Sequence, residues 1–196
     1  MNSSFARLLL AAGLAATLAA CGSSSSSTTT TTDTSTSSDA STTATSTTAS
    51  SDDTAQFQKF FAGEDNDFAD IKGAQRSDDK NVTTFGSNAS LPGKDACTIN
   101  MNKDNKAMFG NCEYTVATKA EADARMATLK SQAMAAESGL TEKKMPMEKG
   151  NLSQMYAAND KHAVELYTQK ADGGKFVAGI YFATPDNFKK TWGDNT

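Results

Sequence analysis

The sequence predicts an α+β domain of two layers, with helices packed on one face of an antiparallel sheet. Three observations carry this expectation. Apolar and polar residues alternate through several short runs between residues 95 and 183, the period of half-buried strands. Cys97 and Cys112 stand symmetrically about a polar turn segment inside one such pair of runs. Segments with helical spacing and capping signals flank the runs, and helices beside single-faced strands pack onto that face.

The elements follow in order. Ala55–Lys72 reads as a helix, because Phe57, Phe60, Phe61, Phe68 and Ile71 fall largely on one stripe. Thr54 or Asp53 suits its start and Gly73 its end, while Gly63 marks a weak point in the middle. Val82–Phe85 reads as a short strand, and Leu91-Pro92-Gly93 as a turn. Asp95–Met101 and Ala107–Val116 form a hairpin around Lys103-Asp104-Asn105-Lys106. Centring it between Asp104 and Asn105 places Cys97 opposite Cys112, Ile99 opposite Gly110 and Met101 opposite Met108. Those residues, with Tyr114 and Val116, share one face, and Thr98, Asn100, Asn111 and Glu113 share the other. The cysteine pair reads as a disulfide in an oxidising compartment.

Thr118-Lys119-Ala120-Glu121 is a capping box that opens a helix to about Ser138. Ala122, Met126, Leu129, Ala133 and Ala136 make its inward stripe. Leu152–Ala157, His162–Gln169 and Phe176–Ala183 read as strands, separated by turns at Asn159-Asp160 and Asp172-Gly173-Gly174. Val164, Leu166, Phe176, Ile180 and Phe182 alternate onto one buried face. Thr184-Pro185-Asp186 caps a short last helix carrying Phe188 and Trp192. The expected order is α-β-β-β-α-β-β-β-α. Tyr114–Thr118 and Ile180–Thr184 each run from a strand through Ala-Thr into a helix cap, which fits an internal duplication, although a match this short also arises by chance. The order is similar to that of small α/β secretion chaperones and of tandem inhibitor modules, a likeness of fold alone.

The segment before this domain has a different character. Gly22–Asp53 is almost entirely Ser, Thr, Ala and Asp, with no aromatic residue, no Leu, Ile or Val and no basic residue. Such a tract buries nothing that offsets the entropy of ordering it, so it reads as a disordered tether. Its r.m.s. reach is roughly 30 Å, and about 100 Å when extended. A Ser/Thr-rich stalk can also carry O-linked glycan, but a plain spacer is the simpler reading.

The N-terminus has the parts of an export signal. Met1–Arg7 carries one positive charge, and Leu8–Ala20 is an uncharged run too short to span a bilayer. It ends in Leu18-Ala19-Ala20-Cys21, which resembles the lipobox of bacterial lipoproteins. The resemblance covers the N-terminal segment alone. It implies that residues 1–20 are removed and that the Cys21 thiol takes a diacylglycerol. The new amine is then acylated, with palmitate as the expected chain. Gly22 stands where an Asp favours inner-membrane retention, so the family rule implies outer-membrane sorting. A soluble secreted protein with a cysteine beside its cleavage site is the alternative. The expected organisation is a signal at 1–20, a lipidated cysteine and tether at 21–53, and a folded domain at 54–196.

Charge narrows the function classes. The 196 residues carry 19 basic and 23 acidic side chains, a net charge of −4. Arg7 lies in the leader, and Asp33, Asp39, Asp52 and Asp53 lie in the tract, so the domain is near neutral. Such a balance exerts no long-range pull on nucleic acid or anionic lipid. The expected partners are the membrane, through the lipid anchor, and an envelope protein; no nucleic acid and no cofactor is expected.

Chemical motifs are sparse. Ser77-Asp78-Asp79-Lys80 matches S-x-x-K but lacks the partner motifs of penicillin-recognising enzymes, and reads as a polar loop. His162, the one histidine, sits beside a turn and is expected to be exposed. Glu64, Asp65, Asp67 and Asp70 lack the spacing of a calcium loop and read as a solvated helix face. Met145-Pro146-Met147 suits Cu(I) chemically, but Met101, Met108, Met126 and Met155 read as core residues. N-x-S/T triplets at Asn81, Asn88 and Asn151 carry no weight beside a bacterial lipobox. No catalytic and no metal-ligating residue is assigned; Cys21 is assigned to lipidation, and Cys97 with Cys112 to a disulfide. The leading expectation is a non-enzymatic, membrane-anchored binding module. The runner-up is an inhibitor of an envelope-directed hydrolase acting through the segment Glu142–Asn151, and a small periplasmic enzyme is third.

Overall fold

A computed structural model describes residues 51–94, 96–145 and 147–193. The expected signal segment, Cys21 and the tract to residue 50 lie outside the described residues. The elements are α1 (Ser51–Glu64), β1 (Lys72–Asp78), β2 (Val82–Ser87), β3 (Ala96–Asn102), β4 (Met108–Val116) and α2 (Lys119–Ala136). They continue as β5 (Thr141–Lys143), β6 (Asn151–Ala158), β7 (Ala163–Lys170), a 3-10 turn (Asp172–Gly174), β8 (Phe176–Ala183) and α3 (Pro185–Trp192). Eight antiparallel strands make one sheet, in the order β1-β2-β3-β4-β8-β7-β6-β5.

The class is therefore α+β, but each half of the sheet has one strand more than expected. Both extra strands are edges. β1 reads Lys-Gly-Ala-Gln-Arg-Ser-Asp, with no large apolar residue to mark a period, and most of it is exposed. Backbone pairing with β2 makes it a strand; side-chain burial does not. β5 is three residues long and wholly exposed. Short or irregular edges are the ordinary defence against edge-to-edge association. β1 adds two register shifts along its pairing with β2. At its end Asp78 accepts from the Thr83 hydroxyl at 2.7 Å and pairs with Lys103 at 2.6 Å. The hydrogen bonds from Lys103 and Thr83 hold its carboxyl below the ordinary value. The S-x-x-K segment thus tethers an edge strand.

The hairpin register is as expected: Cys97 pairs Cys112, Ile99 pairs Gly110, and Met101 pairs Met108. Cys97 and Cys112 form a buried disulfide with Cα atoms 4.2 Å apart. α2 has the full capping box, with Thr118 accepting from the Glu121 amide and the Glu121 carboxylate accepting from the Thr118 amide. Its Ala122, Leu129, Ala133 and Ala136 are buried. α3 has the Thr184 cap and Pro at its start.

Helix α1 corrects the expected Ala55–Lys72 at both ends. It starts by Ser51, and Asp53 accepts from the Gln132 amide on α2 at 3.1 Å. Asp52 and Asp53, expected in the tether, belong to the first helical turn. It stops at Glu64 because the chain doubles back over Gly63. The Gly63 carbonyl takes the Phe68 amide at 2.6 Å, with Asp67 and Phe68 at positive φ. A Cβ on Gly63 would stand 2.9 Å from the Phe68 ring. Phe68 and Ile71 still reach the core, carried by this turn and not by a helical stripe.

The layer arrangement also differs. α1 and α2 lie over the first face of the sheet, where Ile99, Cys112, Val164, Leu166, Ile180 and Phe182 are fully buried. Phe182 is packed by Phe57, Phe60 and Phe61 at 5.9, 4.8 and 5.4 Å between ring centroids. α3 lies on the opposite face, where Phe188 joins Phe109, Tyr156, Ala158, Ala163 and Ala183. The strands show the reason. α1 and α2 already cover β4 and β8 on the first face. Phe109 and Ala183 leave apolar surface on the second face, within reach of the chain as it leaves β8.

Candidate functional site

α3 covers only one end of the second sheet face. Beyond it the strands present the polar half of their alternation: Thr84 from β2, Thr98 and Asn100 from β3, Asn111 and Glu113 from β4. Cross-strand pairs place them side by side, with Thr84 opposite Asn100 and Thr98 opposite Asn111. Thr84 donates to the Asn100 Oδ1 at 2.9 Å, and the Asn100 amide donates to Thr98 at 3.1 Å. The Asn111 amide donates to Glu113 at 3.3 Å. Asn100 is buried, while Thr84, Thr98, Asn111 and Glu113 are half-buried. Side chains tied to one another in this way lose little further freedom when a partner arrives.

Glu113 sits at the centre of the sheet, paired with Gly179 of β8. Tyr167 crosses the strand between them and donates its hydroxyl to Glu113 at 2.7 Å. That crossing needs the glycine, because a Cβ on Gly179 would fall inside the Tyr167 ring. Burial pushes the Tyr167 phenol up, and neighbouring Tyr181 and Glu113 push it further. It therefore remains a neutral donor at physiological pH.

An aromatic border runs from this centre to α3. Tyr181 stacks on Tyr167 at 5.1 Å and meets Phe109 edge-on at 5.7 Å. Trp192 lies 5.4 Å from both Tyr181 and Phe109. Tyr181 and Trp192 are half-buried. Beneath the border Gln154 donates to the buried Glu165 at 2.8 Å. The arrangement supplies fixed donors and acceptors beside aromatic surface, the chemistry of recognition. A shallow depression of about 550 Å³ lies at the corner leading into α2, lined by Thr115, Val116, Ala117 and Lys175.

The residues singled out in the sequence are scattered relative to this surface. The Cys97–Cys112 disulfide lies on the other face, under the helices. Met108 is buried, and Met101, Met126 and Met155 pack against the first core, as expected. Met145 packs near α3, and Met147 is 58% exposed. Among the described residues, no group of three or more His, Cys, Asp and Glu side chains could hold a metal ion. No helix among them is long and apolar enough to cross a membrane.

Two expectations about charge are overturned. His162 is buried, at 8% exposure, against the Phe61 ring. Of the acidic run, Glu64 is the last residue of α1 and only 3% exposed, while Asp65, Asp67 and Asp70 are exposed in the turn after it and not on a helix. Glu64 accepts from the Ala163 amide at 3.3 Å, beside His162. Its 99-residue separation from that amide leaves no local signal in the sequence. The polar side of β3 and β4 was visible as alternation, but Tyr167 and Tyr181 had to be placed by the β7–β8 register. No known protein family, curated protein or solved structure matches this chain.

Proposed function

We propose that this protein is a lipid-anchored, non-enzymatic binding module of the bacterial cell envelope, most simply of the outer membrane. In this reading the signal ends at Ala20, Cys21 carries lipid, and the Ser/Thr-rich tract spaces the folded domain from its membrane. The domain engages an envelope protein through the polar part of its second sheet face. One observation carries the choice of surface: Thr84, Asn100 and Thr98 form one hydrogen-bonded group and Asn111 with Glu113 another, side by side across β3 and β4 and beside half-buried Tyr181 and Trp192. The strand edges are poorer candidates, since one is bulged and charged and the other is three residues long. Tethering raises the local concentration of such a module near its membrane. The matching β4 and β8 register also supports an internal duplication. Tyr114–Thr118 and Ile180–Thr184 are offset by 66 residues, and Glu113 pairs with Gly179, its own equivalent at that offset.

A second reading, inhibition of an envelope-directed hydrolase, draws on Met147. This exposed apolar side chain stands between exposed Lys144 and Lys149 on the segment joining β5 to β6. Strands β5 and β6 take up Glu142, Lys143 and Asn151, which shortens the free loop to 144–150.

Photo-crosslinking in living cells separates the two. A crosslinking residue replaces Thr98, Met147 or, as control, Met134 on the outer side of α2. An adduct from position 98 alone is the expected result. An adduct from 147 alone transfers the assignment to the inhibitor reading, and adducts from neither overturn both. For the anchor, Cys21→Ser should release the protein from the membrane fraction, and unchanged fractionation would refute lipidation.

A further inference from the structure

The second cluster described above has no part in the proposed binding surface. It joins three distant elements. Glu64 is the last residue of α1, and Asp65 follows it. Glu137 ends α2, and His162 closes the β6–β7 turn. The His162 Nδ1 stands 3.0 Å from Glu137, and its Nε2 stands 3.4 Å from Asp65. Two carboxylates therefore flank one imidazole, and Glu64 lies beside them on the Ala163 amide.

We propose that these four residues form a proton-operated latch, which holds the end of α1 against the β6–β7 turn and loosens as the surroundings become more alkaline.

The chemistry turns on the buried Glu64 carboxyl. Neither His162 nitrogen has hydrogen-bond alignment with its carboxylate, so its hold on Glu137 and Asp65 rests on charge. That charge exists only while the ring is protonated. Glu64 is buried, with Oε2 accepting the Ala163 amide and Oε1 meeting no hydrogen-bond donor among the described residues. An ionised carboxylate in that position lacks the partners that offset its desolvation. Burial accordingly raises the Glu64 carboxyl well above its ordinary value, and Glu137 and Asp65 raise it further. With Glu64 protonated, Glu137 and Asp65 are the two carboxylates of the cluster; with Glu64 ionised, three carboxylates face one another.

The surroundings do not cancel this. The end of α1 contributes Glu64 and the turn after it Asp65, and the C-cap of α2 contributes Glu137. The turn contributes His162, with Asp160 and Lys161 exposed beside it. Asn159 is neutral, and its amide donates to Glu137 at 2.8 Å and to the Ser138 carbonyl at 3.1 Å.

The sign follows from linkage. The folded state holds the Glu64 proton in a range where the unfolded chain has lost it. The stabilisation is therefore full below the ordinary Glu value and fades as pH rises through the raised one. Loosening at Glu64 frees the C-terminal end of the first helix after the N-terminal tract. Phe61, two positions from Gly63, is the core residue nearest the opening.

Amide hydrogen exchange on the full chain tests this, with rates corrected for the intrinsic effect of pH. Protection of the Ala163 amide and of the end of α1 should fall about tenfold more between roughly pH 5 and pH 9 than protection at the β4–β8 centre. Glu64→Gln keeps an acceptor for the Ala163 amide and cannot ionise, so it should abolish that difference. Parallel loss at both places, or an unchanged profile in Glu64→Gln, overturns the latch. Should that variant not fold, Glu137→Gln decides. Removing one neighbouring carboxylate lowers the raised Glu64 value, so the loss should shift to lower pH, and an unmoved profile overturns the proposal.

Discussion

The two faces of the central sheet are built from the same strands and differ in what they carry. On the first face Ile99, Cys112, Leu166, Ile180 and Phe182 are fully buried under α1 and α2. On the second, apolar contact is confined to the end beneath α3, and the rest is Thr, Asn, Glu and Tyr tied by side-chain hydrogen bonds. Residues one position apart thus serve opposite purposes: Cys112 locks the core while Asn111 and Glu113 face outward. A period of two makes this possible without any change of backbone. Stability is concentrated on one side, leaving chemistry free to vary on the other.

Phe182→Ala should break the comparison most severely from the first face. Its ring meets three phenylalanines of α1, so truncation opens a cavity on which the helix rests. Phe→Ala changes in cores cost about 3–5 kcal/mol. Thermal denaturation should show a melting temperature lowered by at least about 8 °C. A shift under about 3 °C would mean that α1 contributes little to the fold. Removing the disulfide comes next. The Cys97→Ala, Cys112→Ala double variant should lose about 3 kcal/mol, measured by chemical denaturation against the oxidised protein.

Gly179→Ala carries the test to the second face. The new Cβ collides with Tyr167, and overpacking of this kind costs about 1–3 kcal/mol. Tyr167 also predicts a pH effect. Its folded value is raised, so its contribution is intact below the ordinary tyrosine range and declines as pH rises above about 10. Tyr167→Phe should flatten that alkaline decline in urea midpoints. An identical slope in both proteins would mean other groups cause it.

Much of the first face was legible in the sequence, and the reason is physical. Cys97, Ile99 and Met101 announce their register through side-chain type, as do Val164, Leu166, Ile180 and Phe182. Capping at Thr118 and Thr184 is local and was equally readable. Edge strands β1 and β5 were not, because pairing without burial leaves no periodic mark. The end of α1 misled because Phe68 and Ile71 continue a helical spacing that the turn over Gly63 satisfies differently. The clusters around Glu113 and His162 depend on contacts such as Tyr167 to Glu113 and Ala163 to Glu64, 54 and 99 residues apart, which no local pattern encodes.

Glu113→Gln should have the smallest effect on stability and the sharpest effect on function. The glutamine carbonyl can still accept the Tyr167 hydroxyl, so the geometry of the sheet centre should persist. What disappears is the charge that strengthens that bond and that the proposed partner would meet. Hydrogen bonds to charged groups contribute about 1.5–3 kcal/mol against roughly 1 for neutral ones, so the net loss should be near 1 kcal/mol. The melting temperature should move by only about 2–4 °C. Crosslinking from position 98 should nevertheless weaken, because the carboxylate is the one charge in an otherwise neutral hydrogen-bonded patch, and a partner matched to it meets an amide instead. Crosslinking retained in full would mean that Glu113 only positions Tyr167. A melting temperature lowered by more than about 8 °C would mean that this residue, like Cys112 beside it, serves the fold, and that the division of labour between the two faces fails at their centre.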